Sequence, residues 1–270
     1  MPVRIDELRR ALVAPAGPFA ALDVVDSTGS TNADLLAAAG AGAADRTVLI
    51  AGRQTAGRGR RDRDWISPAG SGLYLSVLLR PGDVPAARLG SLAMVAGLAL
   101  LRTAREVAGV DAALKWPNDL LAGPAHGKCA GVLSDAAAGG SAVVVGIGLN
   151  VGSVPGEVPA GPGGLVATSL ADNGASTTDL TEIAIALLSR FAEIESAWRN
   201  AGGDTEASGV LASYRDGCAT LGTKVRVELP SGELTGVAVA VDPAGQLVIK
   251  SDDGAEVTVS AGDVVHLRAD

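Results

Sequence analysis

Two short segments concentrate the residue types that could do chemistry. In Gly52-Arg-Gln-Thr-Ala-Gly-Arg-Gly-Arg-Arg-Asp-Arg-Asp-Trp65, five arginines (Arg53, Arg58, Arg60, Arg61 and Arg63) stand against two carboxylates, Asp62 and Asp64. Gly57 and Gly59 let the backbone run close to a ligand, and Arg58 and Arg60 offer planar forks suited to carboxylate or phosphate. Alone, such a cluster reads either as a solvated surface loop or as the site of one small anion. The second segment, Lys115-Trp-Pro-Asn-Asp-Leu120, places a cation, an aromatic face, an amide and a carboxylate within five residues, with Pro117 stiffening the turn. That set matches the needs of a nucleotide: stacking for the base, hydrogen bonds for sugar or phosphate, and a carboxylate for Mg2+. It equally fits a strand end with a structural Trp-Pro turn. The chain has only four lysines, Lys115, Lys128, Lys224 and Lys250, and two of them flank this turn.

The elements that must position these groups follow from periodicity. Ser30-Thr31-Asn32 offers caps for a short helix over Ala33–Ala39. Thr47–Ala51 reads as a buried strand leading into the arginines, and Leu73–Leu79 alternates as a strand. A long helix is expected over Leu92–Ala108, then strands at Ala112–Lys115, Ala130–Leu133 and Ala142–Ile147. Gly152–Gly174, with Pro155, Pro159 and Pro162, is a long irregular connection, functional or mobile. Asp179 should cap a helix with Glu182 at its third position; Leu180, Ile183, Leu187, Phe191, Ile194 and Trp198 form its core face. Beyond Cys218 the texture changes. Val225, Val227 and Leu229 alternate with charged residues. A Pro230-Ser-Gly-Glu233 turn, an Asp242-Pro-Ala-Gly245 turn and an Asp252-Asp-Gly254 turn separate further short strands, which reads as a small barrel of SH3-like size. The expectation is an α/β body over residues 1–217 and a β domain over 218–270.

Composition excludes several classes. Hydrophobic residues reach 47%, much of it alanine. The longest uninterrupted apolar stretch, Ala93–Leu101, is far short of the ~20 residues that span a bilayer. The first ten residues carry Asp6 and Glu7 and no apolar core, unlike a secretory signal, so a soluble, cytoplasmic protein with no membrane partner is expected. A net charge of −8 argues against a general nucleic-acid binder. Two cysteines and two histidines are too few for a disulfide framework or most zinc sites.

Taken in order, Ser30-Thr31-Asn32, Gln54-Thr-Ala-Gly-Arg-Gly-Arg-Arg61, Lys115-Trp-Pro-Asn-Asp119, Lys128 with Ala130-Gly-Val-Leu133, Gly146-Ile-Gly-Leu-Asn150 and Ala167-Thr-Ser-Leu170 resemble the successive motifs of biotin–protein ligases. The resemblance covers most of the chain. It implies an α+β catalytic domain of the class II aminoacyl-tRNA-synthetase-like type followed by an SH3-like barrel. It further implies ATP and biotin as substrates, Mg2+, and a biotin carboxyl carrier domain of an acetyl-CoA or related acyl-CoA carboxylase as partner. By motif position, Ser30, Thr31, Asn32 and Gln54 would serve the biotin ring system. Arg58, Gly59 and Arg60 would close over the biotin carboxylate and adenylate phosphate, which Lys128 would also contact. Lys115, Trp116, Asn118, Asp119 and Asn150 would serve ATP, with Asp119 the candidate Mg2+ ligand.

The chain departs from the family pattern in two places. Asp62 replaces a usual glycine, an exchange expected to weaken or reshape the arginine loop. The Asp119–Lys128 gap, with Gly123-Pro-Ala-His126, is longer than in some members. Too few residues precede Ser30 for the winged helix-turn-helix of the repressor members, so no operator-DNA binding is expected. A lipoate–protein ligase shares the chemistry, and a non-catalytic biotin sensor would share the fold. The Gly-Arg-Gly-Arg run favours biotin over lipoate, and Lys115, Asp119, Lys128 and both loop arginines favour catalysis over sensing.

Overall fold

The computed structural model describes residues 3–140, 142–154, 158–161, 164–229, 232–260 and 262–267. Pro155, Pro162, Pro230 and Ser231, and the side chains of Asp62 and Leu229, lie outside the described residues. A seven-stranded sheet forms the body, in the order β1 (Ala21–Val25), β2 (Thr47–Ala51), β3 (Gly72–Leu79), β7 (Val143–Asn150), β6 (Gly127–Ala136), β5 (Asp119–Ala122) and β4 (Ala112–Lys115). Only β1 and β2 run parallel; the other neighbours are antiparallel.

Helices cover both faces of the sheet. α1 (Ile5–Leu12), α3 (Leu92–Glu106), α4 (Leu180–Asn200) and α5 (Val210–Gly217) belong to the main core, with Leu73, Leu75, Val77 and Leu79 of β3 and Val143, Val145 and Ile147 of β7. α2 (Thr31–Gly40) packs the opposite face, where Leu35 and Ala39 meet Leu78 and Val144. Since successive strand residues alternate faces, the α2 side also receives Ser76, Gly146, Gly148, Gly131, Leu133 and Asp135. The apolar alternation in β3 and β7 therefore divides the sheet into a packed face and a face of small and polar residues. β3 is buried along all eight positions because both faces are covered.

Several expectations need adjustment. β1, β5 and α5, only four to eight residues long, carry no clear periodic signal, whereas α1 is amphipathic with Leu8 and Leu12 buried and adds a helix to the expected set. β6 runs from Gly127 to Ala136, well past Ala130–Leu133, and α3 ends at Glu106. Asp179 caps α4 by accepting the N–H groups of Thr181 and Glu182, but Glu182 accepts from the Thr177 hydroxyl instead of returning to the cap. With the turn before it, α3 forms an Ala86–Glu106 stretch long and apolar enough by composition to cross a membrane. In the fold it is a core helix with eleven buried residues.

The C-terminal unit is a five-stranded antiparallel sheet ordered β11 (Glu256–Val259), β10 (Leu247–Ser251), β9 (Gly232–Val241), β8 (Lys224–Leu229) and β12 (Asp263–His266). Its buried Val225, Val227, Ala238, Ile249 and Val264 join the main core. The seam between the units centres on Trp116, which is 2% exposed and donates its indole N–H to Gly245 O at 2.8 Å. Thr220 Oγ1 accepts the Trp116 backbone N–H at 3.0 Å and lies 3.0 Å from His266 Nε2. Thr220 therefore links the Trp116 backbone to the His266 ring.

Burial first, then repulsion from Lys115 and His126, pulls His266 from 6.5 down to about 4. The unfolded chain therefore binds this proton more readily than the folded one, and stability present above 6.5 is lost as pH falls toward 4. Urea unfolding at pH 7 and at about pH 5 should show this loss, and His266→Gln, which keeps an acceptor for Thr220, should lose less. Equal losses in the two proteins would remove His266 from the seam's pH response.

Candidate active site

A cavity of about 420 Å³ opens on the small-residue face of the sheet, between the N-terminus of α2, the arginine segment, the β4–β5 turn and the C-terminal unit. Ser30, Thr31, Asn32, Gln54, Arg58, Gly59, Arg60, Lys115, Asn118, Asp119, Lys128 and Asn150 all line it. Trp116 does not. Its ring is buried in the seam described above, so the expected base-stacking face is instead the anchor between the two units.

The polar end of the cavity is built on α2. Ser30 caps the helix by backbone conformation and makes no side-chain cap hydrogen bond. The Thr31 N–H donates to Gln54 Oε1 at 2.9 Å, and Thr31 Oγ1 lies 3.1 Å from the same oxygen. Asn32 sits behind them. Its Nδ2 donates to Asp135 Oδ2 at 2.8 Å and Leu133 O at 3.2 Å, and its Oδ1 lies 2.6 Å from Ser76 Oγ. With both amide atoms committed and only 4% exposure, Asn32 is a support for Thr31 and not an open contact group. Gly146 makes room for it: a Cβ there would fall 2.1 Å from Asn32 Oδ1.

The arginine segment folds as a tight loop. Gly57 O accepts from Trp65 N, Gly59 N donates to Arg63 O, and the Arg58 and Asp64 backbones pair as an isolated antiparallel β-bridge. A side chain at Gly57 would meet Trp65 O at 2.5 Å, so this glycine is required by loop closure. Arg61 takes the left-handed conformation at the loop tip (φ 56°). Arg60 Nη1 donates to Asn118 Oδ1 at 3.3 Å, tying the loop to the β4–β5 turn. Burial lowers the pKa of Arg60 from its ordinary value, against the attraction of Asp263 and Asp119; a guanidinium so placed stays charged at neutral pH.

The Lys115-Trp-Pro-Asn-Asp119 spacing has a simple geometric meaning. Lys115 and Asp119 are cross-strand partners in the β4–β5 hairpin, so both side chains share the cavity face. Burial foremost lowers the Lys115 amine, with Lys128 and Arg63 adding repulsion and Asp119 and Asp263 opposing it. Lys128 reaches Asp119 from β6. A register shift between Leu120 and Leu121 re-aims this part of the strand pair. Val166 O and Thr168 N then hold the Lys128 backbone from the other side, which gives the Ala167-Thr-Ser-Leu170 run its place in the site. Lys128 Nζ stands 2.7 Å from Asp119 Oδ1 and 5.6 Å from the Trp65 ring centroid, within cation–π range. The Asp119 oxygen lacks hydrogen-bond alignment, so the pair is an ion contact. Asn150 Nδ2 donates to Thr168 O at 2.9 Å.

Three further contributors were not singled out in the sequence. Trp65 lies over the glycine floor: a Cβ at Gly148 or Gly131 would meet its ring at 2.5 or 3.2 Å, and its indole N–H is buried without a partner. Being one of only three tryptophans, at the end of the arginine run, was the available signal. Val154, Val158, Pro159 and Leu165 give the irregular connection an apolar wall of the cavity. Asp263 comes from β12, 200 residues along the chain, where no local pattern points to it. It accepts from Arg61 Nη1 at 2.7 Å and from Arg63. Burial raises the Asp263 carboxyl, but the hydrogen bonds from Arg63 and Arg61 outweigh it and hold the group below its ordinary value.

Fold and site together define an enzyme cavity for an anionic substrate, roofed by an arginine loop and closed by a small β domain. Residues 24–151 match the Biotin/lipoate A/B protein ligase family, and residues 220–267 match the Biotin protein ligase C terminal domain. The chain is 45% identical to a biotin–[acetyl-CoA-carboxylase] ligase of Mycobacterium tuberculosis, over 97% of this chain and 94% of that protein. It is 32% identical to the bifunctional ligase/repressor BirA of Bacillus subtilis, over 88% of this chain and 71% of the relative. A structure of the biotin protein ligase of Aquifex aeolicus in complex with biotin and ATP superposes with a TM-score of 0.77 at 27% identity, covering 92% of this chain and all of that one. The chain belongs to the biotin protein ligases.

Asp263 clasps the loop tip through Arg61 and Arg63, so Asp263→Ala should release it. Trypsin should then cut at Arg61 and Arg63 several-fold faster in the variant, since local opening sets exposure of such bonds. Unchanged cleavage would show that the clasp does not hold the loop.

Proposed function

We propose that this ligase joins the biotin carboxylate to the α-phosphorus of ATP, releasing pyrophosphate. It then passes the biotinyl group to a lysine amine of a biotin carboxyl carrier domain of an acetyl-CoA or related acyl-CoA carboxylase, releasing AMP. The observation that carries this reading is one cavity with hydrogen-bonding groups at its α2 end and Arg58, Arg60, Arg63, Lys115 and Lys128 along the rest. Both nucleophiles come from substrates, so the protein's work is to orient them and to stabilise charge on the transferring centre.

In this reading Ser30, Thr31 and Gln54 hold the biotin ring, with Asn32 behind Thr31. Arg58, Gly59 and Arg60 cover the junction between biotin carboxylate and α-phosphate, and Lys128 supplies a positive charge there. Lys115, Asn118, Asp119 and Asn150 serve the triphosphate and sugar, while the apolar wall from Val154 to Leu165 suits the base. Mg2+ keeps several waters and takes one or two carboxylates together with substrate phosphates. Asp119 lines the cavity and is the carboxylate that fits that demand, since Asp263 is held by Arg61 and Arg63. When bound, the ion would neutralise phosphate charge. Trp65, pressed over Gly148 and Gly131, excludes water from a reactive mixed anhydride. The two units divide between Gly217 and Cys218, and ATP dependence accords with a cytoplasmic location.

ATP–pyrophosphate exchange with biotin, lipoate or no added acid tests this reading. Exchange with biotin alone is expected; exchange with lipoate would transfer the chain to the sister activity, and no exchange in a biotin-binding sample would favour a sensor. Lys128→Ala should lower the exchange rate about 100-fold or more while changing biotin affinity far less. Equal losses in both would reduce Lys128 to a binding group.

A further inference from the structure

Among the described residues, two large apolar side chains of the catalytic body stand in solvent: Ile66, 47% exposed, and Val166, 63% exposed. The other exposed ones, Val237, Val239 and Val257, lie on β9 and β11. Ile66 sits between Trp65, whose ring presses on the glycine floor, and Ser67, which is buried and accepts from Gln54 Nε2 at 3.4 Å. Val166 precedes Ala167, which lines the cavity and forms an isolated bridge with Lys128. Side chains alternate along such strand-like segments, so turning Trp65 and Ala167 inward leaves Ile66 and Val166 outward. Both segments adjoin Lys128: Val166 O accepts its backbone N–H at 2.8 Å, and the Trp65 ring lies 5.6 Å from its Nζ. The Lys128 side chain keeps 28% exposure whereas Lys115 is buried, so the cavity is open to solvent at its Lys128 end. Exposed apolar residues scattered singly are ordinary; two beside the open end of one cavity mark a surface that another molecule covers.

Asp64 adds a charge to this rim. It is exposed, lines the cavity and stands two residues before Ile66, on the same side of the segment. Asp119 is engaged by Lys128 and Asp263 by Arg61 and Arg63, but among the described residues Asp64 has no ion-pair partner. Arg58, its bridge neighbour, belongs to the anionic junction in the reading given above. We infer that Asp64, Ile66 and Val166 form the dock for the acceptor: Asp64 draws in the ammonium of the carrier's lysine, while Ile66 and Val166 grip apolar residues beside that lysine. The inference rests on the carrier reading and adds to it the surface that the carrier covers. Biotin and ATP have polar groups inside the cavity to hold them, and neither needs an apolar rim. A protein that must bring one cation to the Lys128 end does. The arginine loop and the C-terminal unit close the cavity elsewhere, which leaves this rim as the amine's way in.

The test measures biotin transfer to the biotin-free carrier domain of an acetyl-CoA carboxylase, beside ATP–pyrophosphate exchange and formation of biotin hydroxamate from added hydroxylamine. Hydroxylamine displaces AMP through its own nitrogen and is too small to need a dock. Ile66→Ser and Val166→Ser should each raise KM for the carrier about fivefold, and together about 20-fold, with kcat within about twofold. Asp64→Asn should raise it about threefold at low salt, and less as ionic strength rises. Exchange and hydroxamate formation should stay within about twofold of wild type in every variant. A carrier KM unmoved in the double variant would overturn the dock. So would an equal fall in hydroxamate formation, which would mark a disturbed cavity instead of a lost contact surface. Wild-type protein that exchanges pyrophosphate with biotin yet leaves the carrier unlabelled would overturn the carrier reading and the dock with it. Absence of exchange would strike the biotin reading on which both stand.

Discussion

Like charge held together in one cavity is the constraint on which this structure turns. Among the described residues, Arg58, Arg60, Arg63, Lys115 and Lys128 line a single cavity with three carboxylates, Asp64, Asp119 and Asp263, although the chain as a whole carries a net charge of −8. At an effective dielectric of 20, two like charges ~6 Å apart repel by about 3 kcal/mol. The carboxylates cannot cancel five cations, and two of them are already engaged. Asp119 meets Lys128 and Asp263 meets Arg63, while Arg60 finds only an amide oxygen and Lys115 is pushed toward its neutral form. An anionic substrate supplies the missing charge. The fold holds the cations in place beforehand, so little reorganisation remains for the reaction itself.

Keeping that arrangement requires the rest of the sheet. The cations stand on the face that α2 covers only in part, where glycines at 131, 146 and 148 leave space for Trp65 and Asn32. The other face carries the large apolar residues and α3 and α4. One alternation in Gly146-Ile-Gly-Leu-Asn150 therefore serves two purposes: Ile147 and Leu149 fill the core while the residues between them shape the cavity. The C-terminal sheet completes the enclosure from two directions, with Trp116 sunk into its seam and Asp263 reaching the arginine loop. A β domain that looks separate in the sequence is thus part of the site.

How much of this was legible in the sequence depended on the range of the determining contact. The β3, α3 and α4 periodicities were readable because each is long and buries a continuous stripe. Lys115, Asp119, Lys128 and the arginines stood out by residue type and rarity. Trp116 resembles a stacking face in the sequence because a tryptophan beside a cation and an amide looks the same whether it faces a ligand or a neighbouring domain, and only Gly245 decides between them. Asn32 looks like a contact group in the sequence for a similar reason: its partners, Asp135 and Ser76, lie 103 and 44 residues away. Asp263 and the short strands β1 and β5 left no local trace, because their placement comes from sheet neighbours and a domain contact.

The direct test of the charge account is calorimetric binding of biotin and of biotinamide, its neutral near-isostere, over a range of salt concentrations. Cations awaiting a carboxylate should favour biotin by about 10- to 100-fold at low salt, as expected for charge-assisted hydrogen bonds. The preference should narrow as ionic strength rises. Equal affinities that ignore salt would contradict the account, because five cations around the cavity would then do nothing for the anion they surround.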